Sequence, residues 1–333
     1  MSVTRDEVIW AYRLFLGRDP ESESAIQLHT QWANIETLRE NFMLSPEFSN
    51  ILSSTKKSTF PFLPLDVAKI EVDTTASDAQ LSALIEKTKA VWTYLGISRP
   101  HFSVLTHPQF LPENLGGSIN EFWESGEQEA ERLERILARY EFFSLATKTC
   151  VEFGCGVGRV TMSIARRFAR VHGYDISPGH LSHADKRAKE EAIDNVSLHL
   201  CSETFLEALH ECDVFYSMIV FQHNPPPLIS RLIRNALHSL KSGGIAVFQV
   251  PTYQNGYRFE TAEWLRTDHA LEMQMHCVPQ QHIFEIVDEE NCKLLEVRED
   301  NWTGAPDQFI SNTFIIGKNE SVSSDIRKKW FSE

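Results

Sequence analysis

Residues 150–161, Cys-Val-Glu-Phe-Gly-Cys-Gly-Val-Gly-Arg-Val-Thr, restrict the fold more than any other stretch of the chain. An apolar run ends in three glycines, Gly154, Gly156 and Gly158, and apolar residues at helical spacing follow (Val160, Ile164, Ala165, Phe168). This pattern predicts a strand entering a helix through a turn whose backbone comes close to a bound group. About 20 residues on, Arg-Val-His-Gly-Tyr-Asp predicts a second strand ending in Asp175. A carboxylate at that place can accept both hydroxyls of a ribose. The pair predicts a nucleoside-bearing cofactor lying across the carboxyl ends of parallel strands.

The glycine register separates the nucleosides. A dinucleotide fold needs Gly-x-Gly-x-x-Gly or a closing Ala, so that the helix packs tightly under a pyrophosphate. Arg159 occupies that closing position here, and no Gly-Lys-Ser/Thr of a phosphate loop follows. With Glu152 before the glycines, the motif resembles motif I of class I S-adenosylmethionine-dependent methyltransferases. The segment 148–318 strengthens the resemblance, because it alternates strand and helix patterns. Strands are expected at Arg170–Ser177, Asn195–Glu203, Cys212–His223 and Gly244–Thr252, with helices at Pro178–Ala192 and Pro226–Leu240. Lys241-Ser-Gly-Gly is expected to cap the second of these helices. A helix at Gln280–Glu290 and late strands at Lys293–Val297 and Gln308–Lys318 complete the pattern. The expected fold is α/β: a doubly wound, mostly parallel seven-stranded sheet of the class I methyltransferase type, preceded by helical N-terminal regions.

The resemblance implies S-adenosylmethionine as cofactor. Gly154, Cys155, Gly156 and Gly158 would approach its methionine part, Glu152 its amine, and Asp175 with Ile176 its ribose. Ser202 stands where the family places an acid against the adenine amine, and Glu203 beside it is the substitute. Strand four ends in Phe-Gln-His-Asn-Pro-Pro-Pro at 221–227. His223 is the candidate general base, since an imidazole accepts a hydroxyl proton at cellular pH. The alternative is a histidine that only hydrogen-bonds a lid or sheet edge. Asn224 is a substrate-side candidate, although Pro227 replaces the aromatic residue of amino-group methyltransferases. It also reads as an ordinary helix N-cap before Pro225 and Pro226.

Residues 253–277 form an aromatic insert in which Tyr253, Tyr257 and His276 are acceptor-binding candidates; the same rings suit plain packing. Glu272 and His276 are four apart on a possible helix, and His180 and His183 three apart on another. Neither pair has a third ligand at recognisable spacing, so no metal is assigned.

The expected organisation is a helical module at 1–52, a linker at 53–76, a helical lid or packing region at 77–145, the cofactor domain at 146–320 and a polar tail at 321–333. In the module, Val8, Ile9, Tyr12, Leu14 and Phe15 outline one apolar face and Leu38, Phe42, Phe48 and Leu52 another. It resembles a short helical module of unknown function found in bacteria, often fused to methyltransferases and envelope-glycan enzymes. Ser77-x-x-Gln80 and Ser125-x-x-Gln128 read as capping boxes opening two helices. Phe102–Tyr140 then reads as a lid over the cofactor, or as a subdomain that only packs.

Composition narrows the partners. With 46 acidic and 32 basic side chains the net charge is −14, which repels nucleic acid and anionic membranes. The six cysteines form no Cys-x-x-Cys pair and read as free buried thiols of a reducing compartment. No apolar run approaches membrane-spanning length and no secretory leader is evident, so a cytoplasmic location is expected. The function expected is methyl transfer to a small-molecule or glycan acceptor at oxygen. The alternatives are methylation at nitrogen and a non-catalytic cofactor sensor or scaffold. The oligomeric state is open.

Overall fold

The computed structural model describes residues 3–48, 68–201, 209–269, 271–300, 302–305 and 308–319. The chain divides into two compact units, Met1–Leu65 and Asp66–Glu333. Ser202 and Glu203, much of the expected linker and the 321–333 tail lie outside the described residues.

In the first unit three short helices follow their caps: α1 (Arg5–Ala11) after Thr4, α2 (Glu23–Thr30) after Ser22 and α3 (Ile35–Met43) after Asn34. Val8, Tyr12, Ile26, Leu38 and Phe42 are buried together. Leu14 was expected on that face but is exposed. Tyr12–Leu16 is a π-helical turn, and its wider winding carries Leu14 off the buried stripe. Leu52 lies outside the described residues.

The second unit is built on a seven-stranded sheet. Its strands are β2 (Thr149–Phe153), β3 (Arg170–Asp175), β4 (Val196–Leu200), β5 (Cys212–Ser217), β6 (Leu240–Gln254), β8 (Cys292–Asp300) and β9 (Phe309–Lys318). A short β1 (Glu71–Val72) pairs with β7 (Arg258–Phe259) outside it. The order is β4-β3-β2-β5-β6-β9-β8; pairs are parallel except those of β9, which runs antiparallel to β6 and β8. The order reverses beside β2, where β3 and β5 diverge, and a ligand crevice is expected outside the strand ends there.

Side chains alternate across the strands to feed two layers. Val151, Phe215, Phe248 and Phe314 pack with α4 (Asp78–Ser98), α9 (Pro226–His238) and α11 (Gln280–Glu289) through Leu84, Ile233 and Ile283. Cys150, Val214 and Val247 pack on the other face with Leu133 and Leu137 of α6 (Leu115–Ala138) and Ile164 of α7 (Thr161–Ala165). Each of these fully buried chains contributes roughly 1.5–3 kcal/mol. All six cysteines are free and buried. Among the described residues no helix is long and apolar enough to cross a membrane.

Four local expectations are corrected. The strand expected over Cys212–His223 stops at Ser217, because Ile219 takes a left-handed conformation (φ 61°) and Phe221–His223 form a 3-10 turn. Ser125 does not open a helix; it lies inside α6, where its hydroxyl donates to the Phe122 carbonyl. Lys241–Gly244 does not cap α9, which ends at Ser239, but bulges from the β5–β6 ladder between the Cys212–Leu240 and Val214–Ile245 pairs. No helix carries Glu272 and His276. The Ser77 capping box is present.

Candidate active site

The cleft is assembled where β2 ends. Gly154, Gly156 and Gly158 have φ of 77°, 55° and 85°, values that a side chain would strain. The loop turns back toward β3, and the Gly156 N–H donates to Oδ2 of Asp175 (2.8 Å) while the Ser177 N–H donates to Oδ1 (2.8 Å). Asp175 is thus fixed by two backbone donors. A carboxylate offers about four lone-pair sites, so it keeps capacity for a diol.

Glu152 and Arg159 give the cleft its charge. Glu152 is 5% exposed and its Oε2 has no hydrogen-bond partner. Burial raises its pKa to about 7, with Thr161 and Arg159 acting the other way. Arg159 is 9% exposed; one terminal nitrogen donates to Ser125 Oγ (3.1 Å) and Nε has no partner. Leaving such buried groups unmet costs about 1–3 kcal/mol each or more. The wall therefore carries a buried carboxyl oxygen and a buried guanidinium nitrogen that have no hydrogen-bond partner.

α6 holds Arg159 in place by close approach. A Cβ on Gly126 would lie 1.9 Å from the Arg159 carbonyl oxygen, so only glycine fits. Behind it, Tyr216 donates to Glu129 Oε2 (2.7 Å), which also accepts from Arg132 (2.8 Å). α4 and α5 (Pro100–Val104) supply the roof through Thr88, Trp92, Ser103 and Val104. Ser103 Oγ lies 2.8 Å from His180 Nε2, which ties that roof to α8 (Pro178–Glu190). The cleft, with its mouth, encloses about 1060 Å³.

Residues 150–244 match the family model described as "Methyltransferase domain". This segment is a methyltransferase domain. Curated relatives include the ubiquinone biosynthesis O-methyltransferases of Pseudomonas entomophila (strain L48) and Serratia proteamaculans (strain 568). The first is 31% identical over 109 residues, 32% of this chain and 46% of the relative. The second is 29% identical over 150 residues, 45% of this chain and 58% of the relative. The chain spans about half the length of the curated relatives it matches. Among solved structures, geranyl diphosphate C-methyltransferase from Streptomyces coelicolor A3(2) aligns with TM-score 0.51 and 14% identity, over 70% of this chain and 97% of that one, a likeness of fold.

The methyltransferase domain fits its cofactor on this chain's own evidence. The methionine end of S-adenosylmethionine carries an ammonium and a carboxylate, and the cleft holds the orphaned Glu152 oxygen and Arg159 nitrogen. Arg159, a sign only of a non-dinucleotide register in the sequence, thus lines the cleft.

Of the other expected site residues, Gly154, Cys155, Gly156, Ile176 and Asn224 line the cleft, joined by Met218, Ile219 and Val220 after β5. Gly158 lies under the loop, where a Cβ would meet Met162 and Ala184 of α8. Asn224 caps no helix; its side-chain amide donates to the Val220 carbonyl (3.0 Å), and Pro225 holds the N-cap of α9. Tyr253 points elsewhere, donating to the Ala68 carbonyl.

His223 and His276 line a second cavity, about 740 Å³ with its open mouth, that shares Thr88 and Trp92 with the cleft. Hydrogen bonds determine the tautomer of His223. The Ile219 N–H donates to Gln249 Oε1 (3.1 Å), so the amide nitrogen of Gln249 faces Gln222 and donates to its Oε1 (3.1 Å). Gln222 Nε2 then donates to His223 Nε2 (3.1 Å), and His223 Nδ1–H donates to the Gln274 carbonyl (2.8 Å). The relay begins at an obligate donor and ends at an obligate acceptor, so its direction is unique. Burial lowers the His223 pKa to about 4, the Gln274 bond acting the other way, and burial lowers that of His276 to about 3. Tyr257 shares a hydrogen bond with His276 Nδ1 (2.8 Å).

Among the described residues, His172, His199 and His210 bring nitrogens within 4.8 Å of one another beside β3 and β4. The His172 and His210 rings are stacked face to face (4.0 Å, 9°), a geometry that does not converge on an ion.

Proposed function

We propose that the protein transfers a methyl group from S-adenosylmethionine to a small-molecule or glycan acceptor, at oxygen. The observation that carries this reading is the pair of buried polar atoms without partners in the cleft, Glu152 Oε2 and Arg159 Nε. Glu152 and Arg159 suit a zwitterionic amino-acid end, and Asp175, at the neighbouring strand end, suits a diol. The ubiquinone biosynthesis O-methyltransferases among the relatives support oxygen as the acceptor atom. The N-terminal module, whose resemblance includes glycan-associated proteins, keeps a glycan among the acceptors.

The cofactor supplies a methyl already activated on a sulfonium, so the chain's own residues have to align the acceptor and hold its proton. Glu152 and Arg159 would hold the amino-acid end of the cofactor and Asp175, at the neighbouring strand end, its diol. Desolvation keeps His223 neutral at cellular pH, and the relay from Ile219 leaves Nε2 as its basic atom. In this reading Nε2 exchanges the Gln222 amide for the acceptor hydroxyl and takes its proton. Ser202 and Glu203 keep their proposed place against the adenine.

The test is mass-shift profiling. Cell extract is incubated with the enzyme and trideuteromethyl-labelled cofactor, and new species heavier by one labelled methyl group are sought. A labelled product that loses its mark under conditions that cleave methyl ethers or esters supports the assignment. Label appearing only on amines would move the reaction to nitrogen, and no labelled product in any extract would leave a cofactor-binding sensor.

A further inference from the structure

We propose that the cavity behind Trp92 is the acceptor pocket and that it takes an uncharged planar aromatic compound bearing few hydroxyls. The proposal rests on the methyl-transfer reading and names its substrate class. The cavity lies next to the cofactor cleft, with Trp92 and Thr88 of α4 forming part of both walls. The Trp92 ring stands against His180 on the cleft side (6.2 Å between centroids) and against His223 on the cavity side (5.3 Å). The cavity and the cleft thus adjoin at the Trp92 indole, which lines both.

The walls decide what can enter. The lining includes the indoles of Trp92 and Trp264, the latter stacked on His269 (4.4 Å, 28°). Aromatic faces of this kind bind planar rings by offset stacking. Their polar groups are engaged with one another. Trp264 Nε1 donates to Gln274 Oε1 (3.0 Å), Gln274 Nε2 is 3.1 Å from His269 Nδ1, and His269 Nε2 lies 2.9 Å from the Trp264 carbonyl. His223 is held between Gln222 and Gln274, and His276 is engaged by Tyr257.

A sugar entering this space would strip water from many hydroxyls and find most partners taken, and each unmet group costs about 1–3 kcal/mol. A ring with one or two hydroxyls avoids most of that cost. Charge excludes a further class. The acidic and basic side chains of the lining are Asp268, Glu272 and Lys87, and the Lys87 ammonium donates to the Thr267 carbonyl (2.7 Å) and lies over the Trp264 ring. His223 and His276 add no positive charge, since burial lowers their pKa to about 4 and about 3. A phosphorylated or carboxylated acceptor would meet two carboxylates and one engaged cation.

The full chain, with and without S-adenosylhomocysteine, is titrated with catechol, 2-naphthol, methyl glucoside and glucose 6-phosphate by calorimetry, and the same probes are offered with tritiated-methyl cofactor. The expected result is saturable binding of the two aromatic probes alone. That binding falls at least tenfold in Trp264→Ala and is kept in Trp264→Phe, while S-adenosylhomocysteine affinity changes less than threefold in both. Preferential binding of either sugar overturns the proposal, as does aromatic binding that Trp264→Ala leaves intact, or no binding by any probe. Failure of S-adenosylhomocysteine to bind the parent protein refutes the methyl-transfer reading separately, because aromatic binding is also read without it. Retention of S-adenosylhomocysteine affinity shows that a variant which loses aromatic binding is still folded.

Discussion

Glu152→Gln provides a two-sided test of the cofactor wall. In the folded protein the carboxyl is buried, one oxygen is unmet, and its pKa is raised from 4.5 to about 7. The folded state therefore binds a proton that the unfolded chain has lost between those pH values, so stability falls as pH rises from about 4.5 through 7 and then levels. A shift of that size corresponds to roughly 3 kcal/mol at pH 8, an order-of-magnitude figure. Glutamine removes the titration, so the ligand-free variant should be more stable than the parent at pH 8 and close to it near pH 4.5. Binding should move the opposite way. The parent must ionise Glu152 to meet a ligand ammonium, so S-adenosylhomocysteine affinity should fall about tenfold from pH 8 to pH 6. In Glu152→Gln it should be weaker throughout and flat across that range. Urea denaturation and calorimetry at four pH values read both effects. Equal affinity in variant and parent, or a flat parent profile from pH 6 to 8, would refute the assignment of Glu152 to the ligand amine.

Asp175→Asn should weaken S-adenosylhomocysteine about 10- to 100-fold by calorimetry, since hydrogen bonds to a charged acceptor contribute about 1.5–3 kcal/mol; an unchanged Kd would return Asp175 to a purely structural role beneath the Gly156 and Ser177 N–H groups. Gly126→Ala should destabilise the protein by about 1–3 kcal/mol in urea and weaken cofactor binding, because the new methyl collides with the Arg159 backbone; parent-like values would show that α6 yields freely. Imidazole ¹⁵N spectra should show His223 neutral and protonated at Nδ1 from pH 6 to 8, as expected for a pKa lowered to about 4, with Gln249→Leu mixing the tautomers; titration of the parent near pH 6.5 would contradict the relay.

Much of this arrangement is legible locally. The glycines, Glu152 and Asp175 sit within one strand–turn–helix–strand passage, where hydrophobic period and residue type report position directly. The same signals place the sheet strands to within a few residues. They fail at strand four because Met218–Phe221 continues the apolar run while Ile219 turns left-handed, a conformation that nothing in a β-branched side chain announces. Asn224 and Ser125 carry the residue types of helix caps, but a 3-10 turn and a longer helix use those positions otherwise. Arg159 as a lining group of the cleft and Gly126 as its support depend on α6 crossing the loop, a contact between segments 33 residues apart. His223 was legible as a histidine after strand four. Its placement behind Trp92, and the tautomer set from Ile219 through two glutamines, are products of packing alone.

The central claim is that the cleft at the end of β2 holds S-adenosylmethionine. Calorimetric titration of the full chain at pH 8 with S-adenosylhomocysteine, and separately with NAD, tests it most directly. Saturable one-to-one binding of S-adenosylhomocysteine with no heat from NAD is the predicted result. Preferential binding of NAD, or no binding of S-adenosylhomocysteine by folded protein, would contradict it.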